Sequence, residues 1–192
     1  GFATFLPGAN ALALAQLQTL DRGSPVALWL WGVRGSGKSH LLQASCARAG
    51  ALGRRAAYFP LRDQFSPDAL AGCEHLDLVC LDDVETVAGN AEWERAIFNL
   101  YNGLQEQQGR LLLSSEGSPK TIPWSLPDLK SRMIASIAFE LGSLTEDEQR
   151  EVLQLRARTR GLELPAETAN FLLRHYPRDL RTLCSLLDTL DA

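Results

Sequence analysis

Pro25-Val26-Ala27-Leu28-Trp29-Leu30-Trp31 runs directly into Gly32-Val33-Arg34-Gly35-Ser36-Gly37-Lys38-Ser39, and this junction decides the fold. An apolar strand feeding G-x-x-x-x-G-K-S is the phosphate-binding-loop signature in its expected context. Gly35 and Gly37 allow backbone conformations that a β-carbon forbids, so consecutive N–H groups of Gly32 to Lys38 can turn inward around phosphate oxygens. Lys38 is expected to reach the β- and γ-phosphates as a point charge, and the Ser39 hydroxyl to ligate the magnesium that bridges them. A helix over roughly 38–49 would aim its positive end at the same anion. Arg34 either contacts phosphate or faces solvent. His40, next to Ser39, is expected to pack near the loop.

Outward from this junction, strands and helices alternate. Ala56-Ala57-Tyr58-Phe59 reads as a second strand, followed by a weakly helical stretch from Pro67 to Cys73. Leu76 to Leu81 reads as a third strand ending at Asp82-Asp83, and Ala91 to Gln108 as an amphipathic helix carrying Trp93, Ile97, Leu100, Tyr101 and Leu104 at helical spacing. Leu111 to Ser115 is a fourth strand; a Pro-rich loop then leads to a short helix around Asp128 to Met133, and Ser136 to Leu141 is a fifth strand. This alternation implies an α/β fold, a five-stranded parallel sheet with helices on both faces. The pattern changes at Leu141-Gly142. Thr145-Glu146-Asp147-Glu148 reads as a capping box opening a helix to about Arg160, Pro165 starts a second, and Pro177-Arg178-Asp179 precedes a third. The expected division is therefore a nucleotide-binding α/β subdomain over 1–142 and a small all-α lid over 143–192.

Composition narrows the classes. The 192 residues are 45% hydrophobic and 22% charged, enough to bury a core, and the formal charge of −4 argues against a general polyanion-binding surface. Sequence-specific DNA binding is not expected. Cys46, Cys73, Cys80 and Cys184 lack C-x-x-C pairing and read as reduced core thiols. His75 and His175 have no ligand-like spacing. No apolar run approaches a bilayer span and no charged-then-apolar leader opens the chain, so a cytoplasmic protein without membrane contact is expected. The chain opens on Gly1, which points to further residues upstream.

Asp82-Asp83 closes an apolar strand, and a carboxylate there lies on the same rim as the phosphate loop. Asp82 is the candidate magnesium ligand, and Asp83 the group that orients or polarises the attacking water. Together these features resemble the AAA+ ATPases. Phe5-Leu6-Pro7-Gly8-Ala9-Asn10 resembles the segment that packs on the nucleotide base in the DnaA group, which implicates Leu6 and Pro7 in nucleotide binding. Leu129-Lys130-Ser131-Arg132 resembles that group's arginine-finger segment, and Arg178-Asp179-Leu180-Arg181 its sensor II helix, with Arg181 reaching the phosphates. Ser115 is the sensor I candidate, with Ser114 the alternative register and Glu116 the acidic residue that follows in related chains.

Within that group, Trp93 to Asn102, Leu126 to Leu129 and Leu153 to Arg158 most resemble the Hda family of DnaA-related regulatory inactivators. The resemblance implies a regulator, acting with the DNA-loaded DNA polymerase III sliding clamp, that stimulates ATP hydrolysis by DnaA and limits replication initiation. It further implies ADP or ATP, or another nucleoside diphosphate, with Mg²⁺ as ligands, weak turnover by the chain itself, and possible homodimers. The catalytic set would be Arg132, acting on a partner's nucleotide, with Asp83, Ser115 and Arg181. The family's clamp-binding segment precedes the fold and is expected outside these residues. The alternatives are the ATPase domain of DnaA itself, a related helicase loader, or an ATP-dependent enzyme acting alone. The Arg150, Arg156, Arg158, Arg160 series reads as the solvated face of a lid helix, and Trp93, Phe98 and Tyr101 as mostly core.

Overall fold

The computed structural model describes residues 2, 5, 8–20, 26–63, 65–159 and 161–175. Five strands, β1 (Ala27–Trp31), β2 (Ala56–Pro60), β3 (Leu78–Asp82), β4 (Arg110–Ser115) and β5 (Ile137–Glu140), form one sheet in the order β2-β3-β4-β1-β5, every neighbouring pair parallel. Helices α1 (Ala11–Gln18) and α2 (Lys38–Ala51) cover one face; α3 (Ala91–Glu106) and α4 (Pro127–Ile134) cover the other. The expected five-stranded parallel sheet with helices on both faces is thus present.

Pleating explains the apolar runs. In β1, Leu28 and Leu30 pack with Leu41 and Leu42 of α2, while Trp29 between them packs with Ile97 of α3 and Leu129 of α4. Because both faces are covered, β1, β3 and β4 are buried along nearly their whole length, with an apolar run at the centre of each rather than an alternation. Strand β5 differs: paired only with β1 at the sheet edge, it leaves Ile137 exposed.

Local chemistry sets most boundaries. Asn90 caps α3, its side-chain oxygen accepting from the N–H groups of Glu92 and Trp93 at 3.0 and 3.2 Å. Pro127 occupies the first turn of α4, where its missing N–H costs nothing. The stretch expected to be weakly helical forms two 3₁₀ turns instead, Pro67–Leu70 and Cys73–His75, because Gly72 between them is left-handed at φ 81°. After β5 the described elements are helices only: α5 (Glu146–Arg158), opened by the Thr145/Glu148 capping box, and α6 (Ala166–His175). Leu153 of α5 packs with Leu164, Leu172 and Leu173. The third expected lid helix, after Pro177, lies outside the described residues. Among the described residues no helix is long and apolar enough to cross a membrane.

Candidate functional site

The phosphate loop connects the carboxyl end of interior strand β1 to α2. Its base is fixed on both sides, with the Gly32 N–H donating to the Ser115 carbonyl at 3.2 Å and the Leu141 N–H to the Trp31 carbonyl at 2.7 Å. Gly35 and Gly37 adopt φ of 85° and 97°, in the left-handed region. A β-carbon on Gly37 would also meet the Phe5 ring at 2.8 Å. Phe5 stacks on His40 with 6.2 Å between centroids, so Phe5 lies over the start of α2. Leu6 and Pro7 lie outside the described residues, as does Arg181.

Lys38 is buried, and its ammonium donates to the carbonyls of Gly32 at 2.6 Å and Val33 at 3.0 Å. Burial pulls its pKa down, while Asp83, Glu116, Glu85 and Asp82 oppose that shift by favouring the cation. The Ser36 hydroxyl is buried in the loop without a hydrogen-bond partner. A cation and an orphaned hydroxyl inside a turned-in glycine loop fit a phosphate group, which could satisfy both. Ser39 and Asp82 supply the hard oxygen donors that suit magnesium. Val33 and Arg34 are exposed on the outer turn.

Strand β3 delivers the carboxylates. Asp82 is almost completely buried and accepts from the Tyr58 hydroxyl at 2.6 Å and from the Ser114 hydroxyl. Asp83 turns the chain out of the strand at φ 61°, its N–H donating to Ser114 Oγ at 2.9 Å. Its carboxylate accepts from Arg62 Nε at 2.5 Å, and the same guanidinium reaches Glu116 at 3.2 Å and Glu85 at 3.7 Å. Arg62, absent from the sequence reading, is thus the hub of an acidic cluster beside the loop. It carried no motif signal, because its partners are distant in sequence.

The two serines of β4 face opposite ways. Ser114 shares the α2 face with Asp82 and joins it to Asp83. Ser115, on the α3/α4 face, accepts from the indole N–H of Trp29 at 2.7 Å and donates to the Gly117 carbonyl at 2.5 Å. The structure therefore brings Ser114, and not Ser115, to the carboxylate pair.

Burial raises the pKa of Glu85, whose second carboxylate oxygen is buried without a partner. A raised folded-state pKa means the charged form costs stability above that pKa, a cost absent in acid, where the group is protonated in both folded and unfolded chains. Glu85→Gln is accordingly expected to raise Tm at neutral pH, with the gain fading as pH falls through the raised pKa and gone below the ordinary carboxylate value. A gain that persists or grows toward acid contradicts this account.

Among the described residues, α5 brings an arginine to the start of α2. Arg156 of α5, expected on a solvated face, is half-buried and places a guanidinium nitrogen 3.2 Å from His40 Nδ1. Arg150 pairs with Asp147 at 2.7 Å, as a surface arginine would. Asn10, also buried, accepts from the Gly142 N–H at 2.9 Å. Phe5 and Arg156 of α5 therefore meet at His40, in the first turn of α2.

Arg132 sits on the last turn of α4. Its guanidinium lies over the rings of Phe98 and Tyr101 at 4.9 and 5.3 Å from their centroids. It forms no ion pair among the described residues, and its Nε is buried without a hydrogen-bond partner. Two aromatic faces hold the cation without neutralising it. Glu94, also missed in the sequence reading, accepts from the N–H groups of Gly89 at 2.7 Å, Ser125 at 2.9 Å and Leu126 at 2.6 Å. It thereby fixes the turn from which α4 starts.

The sequence model of the bacterial DnaA ATPase domain matches residues 1–142. The chain belongs to the bacterial DnaA ATPase-domain family. The model of the Hda lid domain matches residues 146–192, so this DnaA-type sheet is joined to an Hda-type lid. Domain III of Thermotoga maritima DnaA superposes with a TM-score of 0.78 at 22% identity, covering 98% of this chain and 86% of that one. AMPPCP-bound DnaA from Aquifex aeolicus gives 0.75 at 22% identity, covering 98% and 64%. The branch-migration motor RuvB of Thermotoga maritima gives 0.64 at 18%, covering 94% and 59%. At these identities the likeness is one of fold. The chain spans under two thirds of the length of the first DnaA structures it matches, 62% in one crystal structure of a replication initiation factor.

Proposed function

We propose that this DnaA-family chain is a nucleotide-bound regulator that stimulates ATP hydrolysis by the initiator DnaA, working with the DNA-loaded sliding clamp. The observation that carries the reading is Arg132, a guanidinium held over two aromatic rings and without an ion pair among the described residues. Offered to a neighbouring subunit's nucleotide, it would stabilise charge developing on the transferred phosphoryl group. The clamp contact follows from the Hda resemblance alone.

In this reading, residues 1–142 bind the nucleotide and 143–192 form the lid. Lys38 and the loop N–H groups hold the phosphates, and Ser39 and Asp82 hold magnesium. Phe5, with Leu6 and Pro7, borders the base. Ser114 takes the sensor I role first assigned to Ser115, and Arg181 remains the sensor II candidate. The Arg62 cluster supports weak turnover by the chain itself, since it engages Asp83, the group otherwise placed to activate water. ADP serves as the resident ligand and sets the shape of the partner-facing surface.

A DnaA ATPase domain is the second reading, favoured by the 1–142 match; the Hda-type lid weighs against it. The two separate in a reconstituted assay of DnaA ATP hydrolysis with clamp loaded on DNA. The regulator accelerates hydrolysis when supplied with ADP. No acceleration by the intact protein would sink this function.

Nucleotide retention has its own test. Lys38→Ala is expected to weaken ADP binding by roughly ten- to a hundredfold, the worth of a charge-assisted contact, with the fold intact by circular dichroism. Unchanged affinity in a titration with fluorescent ADP would remove Lys38 from the site.

A further inference from the structure

Cys46 on α2 and Cys80 on β3 place their sulfurs 3.4 Å apart, within hydrogen-bonding contact. Cys80 is fully buried and also lies 3.6 Å from the Leu42 carbonyl; Cys46 is partly exposed and lies 3.5 Å from the Ala57 carbonyl. No other described thiol is paired in this way: Cys73 contacts only the Ala69 carbonyl, at 3.6 Å. One sulfur on a partly exposed residue touching one enclosed sulfur is the arrangement of an attacking and a resolving thiol.

We propose that Cys46 and Cys80 form a reversible oxidation site, closed to a disulfide by hydrogen peroxide and reopened by a dithiol. The Cys46 sulfur attacks a peroxide oxygen; the O–O bond breaks, Cys46 becomes a sulfenic acid, and the other oxygen leaves as water. The Cys80 sulfur then attacks the Cys46 sulfur, the S–O bond breaks, and the departing hydroxide takes the Cys80 proton as a second water. The peroxide is reduced by two electrons and the thiol pair is oxidised by two. Electrostatics support the order of attack: the hydrogen bond from Cys80 lowers the Cys46 pKa, whereas burial raises that of Cys80.

A disulfide needs its sulfurs about 2.05 Å apart, so the pair must close by more than an ångström. That movement draws α2 against β3. Helix α2 begins at Lys38 and β3 ends at Asp82, so the cross-link would shift the phosphate lysine relative to the magnesium carboxylate. This consequence rests on the nucleotide reading above; the disulfide itself does not.

The test starts from the full chain, reduced, treated with hydrogen peroxide and alkylated for peptide mass mapping. A Cys46–Cys80 linked peptide that disappears with dithiothreitol is expected. Cys80→Ser, or Cys80→Ala where the serine does not fold, should instead accumulate a Cys46 sulfenic acid that dimedone traps. Oxidation confined to Cys73 or Cys184, or Cys46 driven to sulfinic acid with Cys80 still free, overturns the proposal. Fluorescent ADP titrations of the reduced and oxidised forms then read the coupling. Affinity is expected to fall about tenfold on oxidation, an ordinary size for coupling between two sites. Equal affinities overturn the coupling and leave the disulfide standing. A reduced protein that binds no ADP overturns the nucleotide reading and the coupling with it, while the thiol map still judges the oxidation site.

Discussion

Arg132→Ala is expected to abolish stimulation of DnaA hydrolysis while leaving ADP binding by the chain itself unchanged. Arginine fingers supplied to a neighbour's phosphoryl transfer are worth about 10³- to 10⁵-fold in rate, so single-turnover hydrolysis by DnaA should return to its unstimulated level. Arg132→Lys should recover little, because an ammonium lacks the planar fork that spans phosphoryl oxygens and stacks on rings. Phe98→Leu serves as the graded control. It keeps an apolar side chain beneath the guanidinium but removes one of the two ring faces that hold it at 4.9 and 5.3 Å, so stimulation should fall partway with Arg132 still present. Retained stimulation in Arg132→Ala would show that another group supplies the charge. Lost ADP affinity in the same variant would show that Arg132 acts within its own subunit, against the regulator reading.

What sequence reading could and could not reach follows from the distance over which each signal acts. The loop, the strands and α3 were legible because their signals are local: a glycine pattern after an apolar run, or apolar residues at helical spacing. The serine register was not. Ser114 and Ser115 are adjacent, and in a strand adjacent side chains point to opposite faces; only the pairing of Leu30 with Ser114 and Trp31 with Ser115 assigns the faces. A usable signal did exist. Lys38 starts the helix covering the Leu28/Leu30 face, so the β4 residue nearest Asp82 had to share the pleat phase of Cys80 and Leu112.

Longer-range groupings carried no signal at all. Arg62 meets Asp83, Glu85 and Glu116 because β2, β3 and β4 lie side by side in the sheet. Arg156 meets His40 only because the lid folds back onto α2. Amphipathic periodicity assigned Arg156 to solvent, since it counts residues on one helix and not the neighbours that the chain brings back. The same limit hid the Cys46–Cys80 contact, in which two unremarkable core positions on separate elements meet.

Glu94→Ala is the substitution expected to cost the most stability. The side chain is 1% exposed and is the acceptor for three backbone N–H groups, those of Gly89, Ser125 and Leu126. Alanine would take the acceptor away from three part-buried backbone donors, at about 1 kcal/mol or more each, in a domain whose total stability is on the order of 5–15 kcal/mol. A loss of at least about 3 kcal/mol on urea unfolding is therefore expected, read as a lower midpoint at unchanged slope. A loss below about 1 kcal/mol would mean that water or a local rearrangement satisfies those donors. Glu94→Gln gives the finer test. One amide oxygen can still accept, but the amide N–H₂ would face backbone donors, so the turn at Ser125-Leu126 should loosen without unfolding the sheet. That turn leads directly into Pro127 and α4. Glu94→Gln should consequently retain ADP and lose stimulation, because the arginine would be displaced from its rings while the phosphate loop, on the other side of β1, stays intact.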